Sequence, residues 1–337
     1  ALCNELSLNY DITLVDINKP KSSKISIDRK IKRFSLHRYN FFYKITKYKK
    51  LLKETGKTKK NISISYCLLA DVFNSYCRKE TNIISSIRGN YNINYVNRFS
   101  IFGYFLTQIH YYFLNKFPKV FVMNNFMKNN IQNYINSEVK VFGNFIDEKE
   151  IKNKANKYYL SDNKKYITFC FIGRLVKSKR IDLLIKSFAN LSNDLKLINL
   201  LIVGDGPEFG KLIMLSKKLK VSKIVEFRGY EDNPINLLLS TNCVVIPSMS
   251  EGTSRAALEA LFLGVPCILR DKNGNNELIK SDKMGSLFTD DEDLEKVMSN
   301  MYHYLISNRQ KKRKSLLLDF NSQHRVANLI VKELYEN

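Results

Sequence analysis

The stretch Val244-Val245-Ile246-Pro247-Ser248-Met249-Ser250-Glu251-Gly252-Thr253-Ser254-Arg255-Ala256-Ala257-Leu258-Glu259-Ala260-Leu261-Phe262-Leu263-Gly264-Val265-Pro266-Cys267-Ile268-Leu269 decides the fold. Two short apolar runs, 244–246 and 267–269, are punctuated by Pro and Gly, and apolar residues at helical spacing fill 254–263 between them. Strand, crossover helix and strand make the repeating unit of a parallel sheet. The loop leaving the first strand at Pro247 opens on the carboxyl edge of that sheet, where doubly wound folds hold ligands. The backbone N–H groups of Thr253 and Ser254 are expected to point into that crevice, where a helix start favours phosphate. Glu251 stands just before the helix and Glu259 two turns on, so two carboxylates at different depths could accept hydrogen bonds from the paired hydroxyls of a sugar. That spacing alone is common on surface helices; its surroundings give it weight.

Outward from this stretch the pattern repeats. Residues 166–172 read as a strand stopping at Gly173, 181–191 as a helix, and 198–203 as a strand ending in Gly204-Asp205-Gly206-Pro207. A strand at 224–227 and a short helix at 234–239 complete a Rossmann-like unit, with Gly173, Gly204, Gly229 and Pro247 at strand ends. Gly173-Arg174-Leu175, followed by Lys179, puts two cations at the tip of the first strand. Gly173 permits the turn, the Arg174 fork binds a phosphate bidentately, and Lys179 adds a point charge, so the pair can neutralise a diphosphate. Gly204 to Glu208 reads as a structural turn, and Gly274-Asn275-Asn276-Glu277 brings another acid to the same edge.

The N-terminal half is less regular, with strands expected at 11–15, 61–64, 82–85, 120–123 and 139–142. A length of 337 residues accommodates two domains. The polar stretch 147–163 is the expected linker, giving an N-terminal domain over 1–163, a C-terminal domain over 164–318, and a last helix over 319–337 packing back on the N-terminal domain. The opening residues 1–6 read as the end of a helix feeding a strand at Asp11, as if the N-terminal domain lacked its first strand.

A hydrophobic fraction of 44% and a charged fraction of 26% exclude a disordered chain and a polytopic membrane protein. The aromatic run 99–114 contains Gln108 and His110 and is shorter than the ~20 residues that span a bilayer, so a buried or interfacial helix is expected. The formal charge of +23 is concentrated: residues 1–165 hold 30 of the 55 Lys and Arg but 12 of the 32 Asp and Glu, a formal +18. Such a half attracts polyanions, namely nucleic acid, an anionic membrane or a phosphorylated substrate. No zinc-finger, RNA-recognition or helix-turn-helix signature supports nucleic acid. The six cysteines lack C-x-x-C spacing and read as buried free thiols in a reducing cytosol; no signal peptide is apparent. His37, His110, His303 and His324 show no partner spacing and take no catalytic role. Asp291-Glu292-Asp293 has the look of a metal-binding D-x-D, but follows a strand and opens a helix, where acids are favourable in themselves.

The ordered motifs G-R-L-V-x-x-K, V-G-D-G-P-E, F-R-G, P-S-x-x-E-G-x7-E-A, G-V-P-C-I and G-x-x-E-L-I over 166–288 resemble the family-4 retaining glycosyltransferases. The segments 141–147 and 65–90 resemble members that build bacterial surface polysaccharides and lipid-linked oligosaccharides. The resemblance implies an α/β fold of the GT-B type, two Rossmann-like domains facing a central cleft. It implies that Glu251 holds the hydroxyls of the donor sugar, Glu259 the nucleotide ribose, and Arg174 and Lys179 the leaving diphosphate, with Gly173, Gly252, Thr253 and Ser254 lining the donor site. It further implies retention of anomeric configuration, a UDP- or GDP-sugar donor and no metal or other cofactor. The family's N-terminal glycine-rich loop is absent from this sequence, and Arg88 is the N-terminal residue offered as an acceptor or phosphate contact. The expected reaction is transfer of a sugar to a lipid-diphosphate-linked or envelope-glycan acceptor, of the lipopolysaccharide, O-antigen or capsule kind, at the cytoplasmic face of an anionic bacterial membrane. The competing expectations are a nucleic-acid-binding protein and a non-transferring sugar-nucleotide epimerase.

Overall fold

The computed structural model describes residues 2–19, 27–57, 61–155, 166–308 and 313–335. They divide into two compact units, residues 1–144 with 323–337, and residues 145–322. The expected boundary at Asn163 lies outside the described residues.

In the first unit, α1 (Leu2–Leu6) leads to β1 (Thr13–Asp16) and β2 (Lys32–Ser35), a parallel two-stranded ribbon with Thr13 opposite Lys32. Strand β2 was not anticipated, because its residues are largely exposed and make no apolar run. Then follow α2 (Phe41–Gly56), β3 (Ile62–Ser65), α3 (Leu68–Tyr76), β4 (Asn82–Ser86), α4 (Tyr91–Phe99), α5 (Ile101–Leu114), β5 (Lys119–Val122), α6 (Asn125–Ile131) and β6 (Glu138–Val141). Strands β3-β4-β5-β6 form a parallel sheet in that order, over a core of Ile83, Ile87, Leu114, Phe117, Val120, Val122 and Met127. Helices α4 and α5 meet at Ser100, whose φ is 49°, and are pressed together at Gly103, where a Cβ would come within 2.3 Å of the Tyr95 carbonyl oxygen. Inside this unit the Asp71 carboxylate takes hydrogen bonds from Ser65 and from His110 Nε2 at 2.7 Å, with Asp71 and His110 fully buried. Sequence spacing does not pair residues 39 positions apart, so this polar core contact was invisible beforehand.

The second unit opens with α7 (Glu148–Ala155), and here the structure corrects the linker reading. Asp147 caps the helix by accepting from the Glu150 N–H at 2.9 Å, and Ile151 buries in the core of this unit with Ala155 packed beside it. Next come β7 (Ile167–Ile172), α8 (Ile181–Asp194), β8 (Ile198–Val203), α9 (Phe209–Lys218), β9 (Val225–Gly229), α10 (Ile235–Ser240), β10 (Cys243–Ile246), α11 (Arg255–Phe262), β11 (Cys267–Arg270), β12 (Gly285–Phe288) and α12 (Asp293–Ser307). All six strands are parallel, in the order β12-β11-β10-β7-β8-β9. One face carries Phe169, Leu184, Phe188, Leu200 and Met298, the other Cys170, Leu201, Val244, Leu258 and Leu261. Burial on both faces is why these strands read as continuous apolar runs. Burial also raises the Cys170 thiol to about 12, which makes it an inert core group; the reading of all six cysteines as buried is corrected at Cys67, which is exposed, and Cys3, which is half-buried.

The last helix, α13 (Gln323–Tyr335), belongs to the first unit and packs on α1. There Glu333 accepts from Lys119 Nζ at 3.1 Å and pairs with Lys140. No helix among the described residues is long and apolar enough to cross a membrane.

Candidate active site

The strand order of the second unit contains one reversal. The chain builds outward from β7 through β8 to β9, then returns to the other side of β7 with β10. The loops after β7 and β10 therefore flank the topological switch point, where helices lie on opposite faces and leave a crevice.

Those two loops carry the residues singled out above and are tied to each other. The Met249 N–H donates to the Ser178 carbonyl at 2.9 Å, and further along each loop Lys179 Nζ pairs with Glu251 Oε1. Both members of that pair are mostly buried, which weakens screening by water. Arg174 lies exposed at the tip of β7. The turn at Gly173 is fixed by its neighbour: a Cβ on Gly204, whose φ is +137°, would sit 1.9 Å from the Gly173 carbonyl oxygen, so only glycine allows the two strand ends to close.

Helix α11 begins later than the expectation placed it. Ser254 is the cap, its hydroxyl accepting from the Ala257 N–H at 3.4 Å, and the first helical residue is Arg255. Thr253 and Ser254 thus precede the helix, and the first-turn donors that no intrahelical carbonyl can satisfy include those of Arg255 and Ala256. Gly252 and Thr253 lie in the connecting loop with Glu251. Glu259 sits in the second turn and pairs with Arg255 Nη2 at 3.2 Å. Burial raises the Glu259 carboxyl above its ordinary value, and Arg255 only partly offsets this. The Ser248 hydroxyl is buried with no hydrogen-bond partner among the described residues.

The sequence reading missed what holds these loops in place. Arg270, at the end of β11, is 2% exposed. Its guanidinium donates to the Pro247 carbonyl at 3.1 Å, the Thr289 carbonyl at 3.3 Å and Asp291 Oδ1 at 2.6 Å. The other Asp291 oxygen accepts from Arg180 Nη2 at 2.6 Å, and Arg180 adjoins Lys179. Burial pushes the Asp291 carboxyl up, but the hydrogen bonds from Arg270 and Arg180 outweigh it and hold the group below the usual aspartate range. Asn273 Nδ2 adds a bond to the Met249 carbonyl at 2.9 Å. The available signal was Arg270 itself, a charge closing the apolar run Cys267-Ile268-Leu269, since a buried cation demands an acid.

Arg88 belongs to the first unit, two residues beyond β4, where it donates to Asn144 Oδ1 at 3.2 Å and lies 5.6 Å over the Tyr66 ring. Among the described residues no group of three or more His, Cys, Asp or Glu could hold a metal.

Comparison with known proteins agrees with this architecture. Residues 152–316 match the family described as Glycosyl transferases group 1. N-acetyl-alpha-D-glucosaminyl L-malate synthase of Bacillus anthracis is 31% identical over 157 residues, 45% of this chain and 40% of that protein. A Campylobacter jejuni enzyme, N-acetylgalactosamine-N,N'-diacetylbacillosaminyl-diphospho-undecaprenol 4-alpha-N-acetylgalactosaminyltransferase, is 27% identical over 252 residues, 72% of this chain and 65% of that protein. The chain thus spans between two fifths and two thirds of these relatives. The solved structure of Anabaena HepE in complex with UDP and glucose superposes with a TM-score of 0.68 at 16% identity, over 91% of this chain and 86% of that one. Residues 152–316 thus carry the match to the group 1 glycosyltransferases, and the two parallel α/β units are those of the GT-B fold.

Proposed function

We propose that the protein transfers a sugar from a UDP- or GDP-sugar, with retention of anomeric configuration, to a lipid-diphosphate-linked or envelope-glycan acceptor at the inner face of a bacterial membrane. The observation that carries the reading is the Lys179–Glu251 pair, which joins the loops on either side of the switch point. In transfer, the bond between the anomeric carbon and the diphosphate oxygen breaks, an acceptor hydroxyl oxygen forms the new glycosidic bond on the same face, its proton passes to the leaving diphosphate, and negative charge develops on that diphosphate as it departs. Arg174, exposed at the tip of β7, and Lys179, mostly buried further along the same loop, supply positive charge for that moment. Glu251 and the loop Gly252–Thr253–Ser254 take the hydroxyls of the sugar, and Glu259, deeper along α11, takes the ribose. With two cations assigned to the diphosphate, the chemistry needs no metal, so turnover is expected to be unchanged by EDTA. Arg88 is assigned to the acceptor or its phosphate. The acceptor class is supported by the Campylobacter relative, whose name specifies a diphospho-undecaprenol substrate.

The test is single substitution with turnover assayed by release of nucleoside diphosphate. Lys179→Ala and Glu251→Ala are expected to lower turnover by about 100-fold or more, the order of one lost electrostatic contact to the transition state, with far-UV circular dichroism unchanged. Undiminished turnover in both variants overturns the assignment. Sugar-nucleotide product formed from donor alone, without acceptor, would place the protein among the epimerases instead.

A further inference from the structure

Helix α5 inverts the ordinary pattern of a surface helix. Gly103, Thr107, His110, Tyr111 and Leu114 form its buried face. The opposite face should be charged. It carries instead Ile101, Phe102, Tyr104, Phe105 and Tyr112, exposed at 79, 73, 56, 64 and 62%, and α5 contains no Asp, Glu, Lys or Arg. Scattered exposed apolar residues are ordinary, but a contiguous set on one helix marks a contact surface.

A second exposed aromatic set opens α2. Asn40 caps that helix by accepting from the Tyr43 N–H at 2.9 Å, and Phe41, Phe42 and Tyr43 occupy its first turn. Behind them α2 carries Lys44, Lys47, Lys49, Lys50 and Lys53 against one acid, Glu54. Helix α3 packs against both helices: Phe41 meets Phe73 edge-on at 5.4 Å, and Tyr76 lies 6.5 Å from Phe113. Since α2 leads into β3 and α5 into β5, and both strands run parallel, both helices start at the carboxyl edge of the sheet, the edge where Arg88 follows β4.

Charge identifies the occupant. From residue 91 to residue 118 there are two cations, Arg98 and Lys116, and no acid. Arg98 lies 5.1 Å over the Phe99 ring and the Lys116 ammonium 4.4 Å over Tyr112, so cations rim the aromatic face at both ends of α5. A second copy of this chain would bring the same positive charge to the contact. Phospholipid headgroups bring the opposite charge, and their boundary with the acyl region accepts Phe and Ile below Tyr, Lys and Arg.

We propose that the exposed aromatic faces of α5 and of the first turn of α2 seat the protein on an anionic phospholipid surface; the proposal rests on the reading of a lipid-bound acceptor given above. The test is flotation of the full chain with vesicles of phosphatidylglycerol and phosphatidylethanolamine, and separately of phosphatidylcholine. Binding is expected to the anionic vesicles and to weaken as salt rises. The double variant Phe102→Ser with Phe105→Ser changes only exposed side chains, so its melting temperature stays that of the wild type. Its vesicle affinity is expected to fall at least about tenfold, because two interfacial anchors are gone. A wild type that fails to float with anionic vesicles overturns the proposal, as does a double variant that floats equally well. A dimer that the double variant dissolves, without vesicle binding, assigns the face to a second copy and likewise overturns it. Flotation needs neither donor nor turnover, so a protein that floats but transfers no sugar refutes the proposed activity and leaves the membrane surface standing.

Discussion

Glu251 and Glu259 look equivalent as letters and differ in what faces them. Glu251 meets a lysine from the neighbouring loop, whereas Glu259 meets an arginine one turn earlier on its own helix. A contact between loops fixes relative position; a contact within a helix adds only a few tenths of a kcal/mol. The raised Glu259 carboxyl gives this difference a measurable sign. Between the ordinary glutamate value, about 4.3, and the higher folded value, the folded protein binds more protons than the unfolded chain, so stability falls as pH rises through that window. Glu259→Gln removes the titration, and the melting temperature of the variant is expected to decline less than that of the wild type as pH rises from about 4 to about 7, because only the wild type gives up that extra proton. Parallel melting curves for the two proteins would show that Glu259 does not titrate differently on folding. If Glu259 accepts from the ribose as a carboxylate, donor affinity rises with pH over the same window and loses that slope in the variant.

The loops after β7, β10 and β11 are held as a set by the Arg270–Asp291–Arg180 chain, and that chain ranks its own members. Arg270 is buried and bonds two backbone carbonyls as well as Asp291, so Arg270→Met leaves the Pro247 and Thr289 carbonyls without their donor. Asp291 is about one third exposed and keeps Arg180, which limits the loss to about 2 kcal/mol. Arg180→Met removes a more exposed partner and is expected to cost under about 1 kcal/mol. Urea unfolding of the two variants checks the order, and equal losses would contradict it. The same ranking shows what the sequence made legible. Strands β7, β8, β10 and β11 were placed to within a residue because buried parallel strands are continuous apolar runs with glycine or proline at their ends. Strand β2 and helix α7 escaped, one because its residues face solvent, the other because a single buried isoleucine anchors it. Glu251, Lys179 and Arg174 were singled out because loop chemistry concentrates at strand ends, and Glu259 by its spacing from Glu251; the structure brings Glu251 and Lys179 into contact and places Glu259 on α11. The arginines that fix those loops were not found, since their partner lies 21 and 111 residues away and only folding brings it near.

The two units differ in charge as well as in core. Residues 1–144 with 323–337 hold 26 Lys and Arg against 10 Asp and Glu, a formal +16 of the total +23, and the proposed donor chemistry sits wholly in residues 145–322, which bury their own apolar layers. Polyanion attraction and donor binding therefore draw on different parts of the chain, and ionic strength separates them. Association with anionic surfaces weakens with salt as exposed charges are screened beyond ~8 Å at physiological strength, while the partly buried Lys179–Glu251 region is screened less. A nucleotide-sugar that binds the second unit stabilises it by mass action, about 2.7 kcal/mol at one hundred times its dissociation constant. For a unit of this size such a gain corresponds to roughly 5–10 °C in melting temperature. Calorimetry of the full chain against UDP- and GDP-sugars is expected to move the transition of the second unit most, at both low and high salt. Lys179→Ala, which removes a cation assigned to the diphosphate, should cancel most of that shift. A shift carried by the first unit's transition, or one that survives Lys179→Ala undiminished, would place donor binding outside the loops at the β7–β10 switch point.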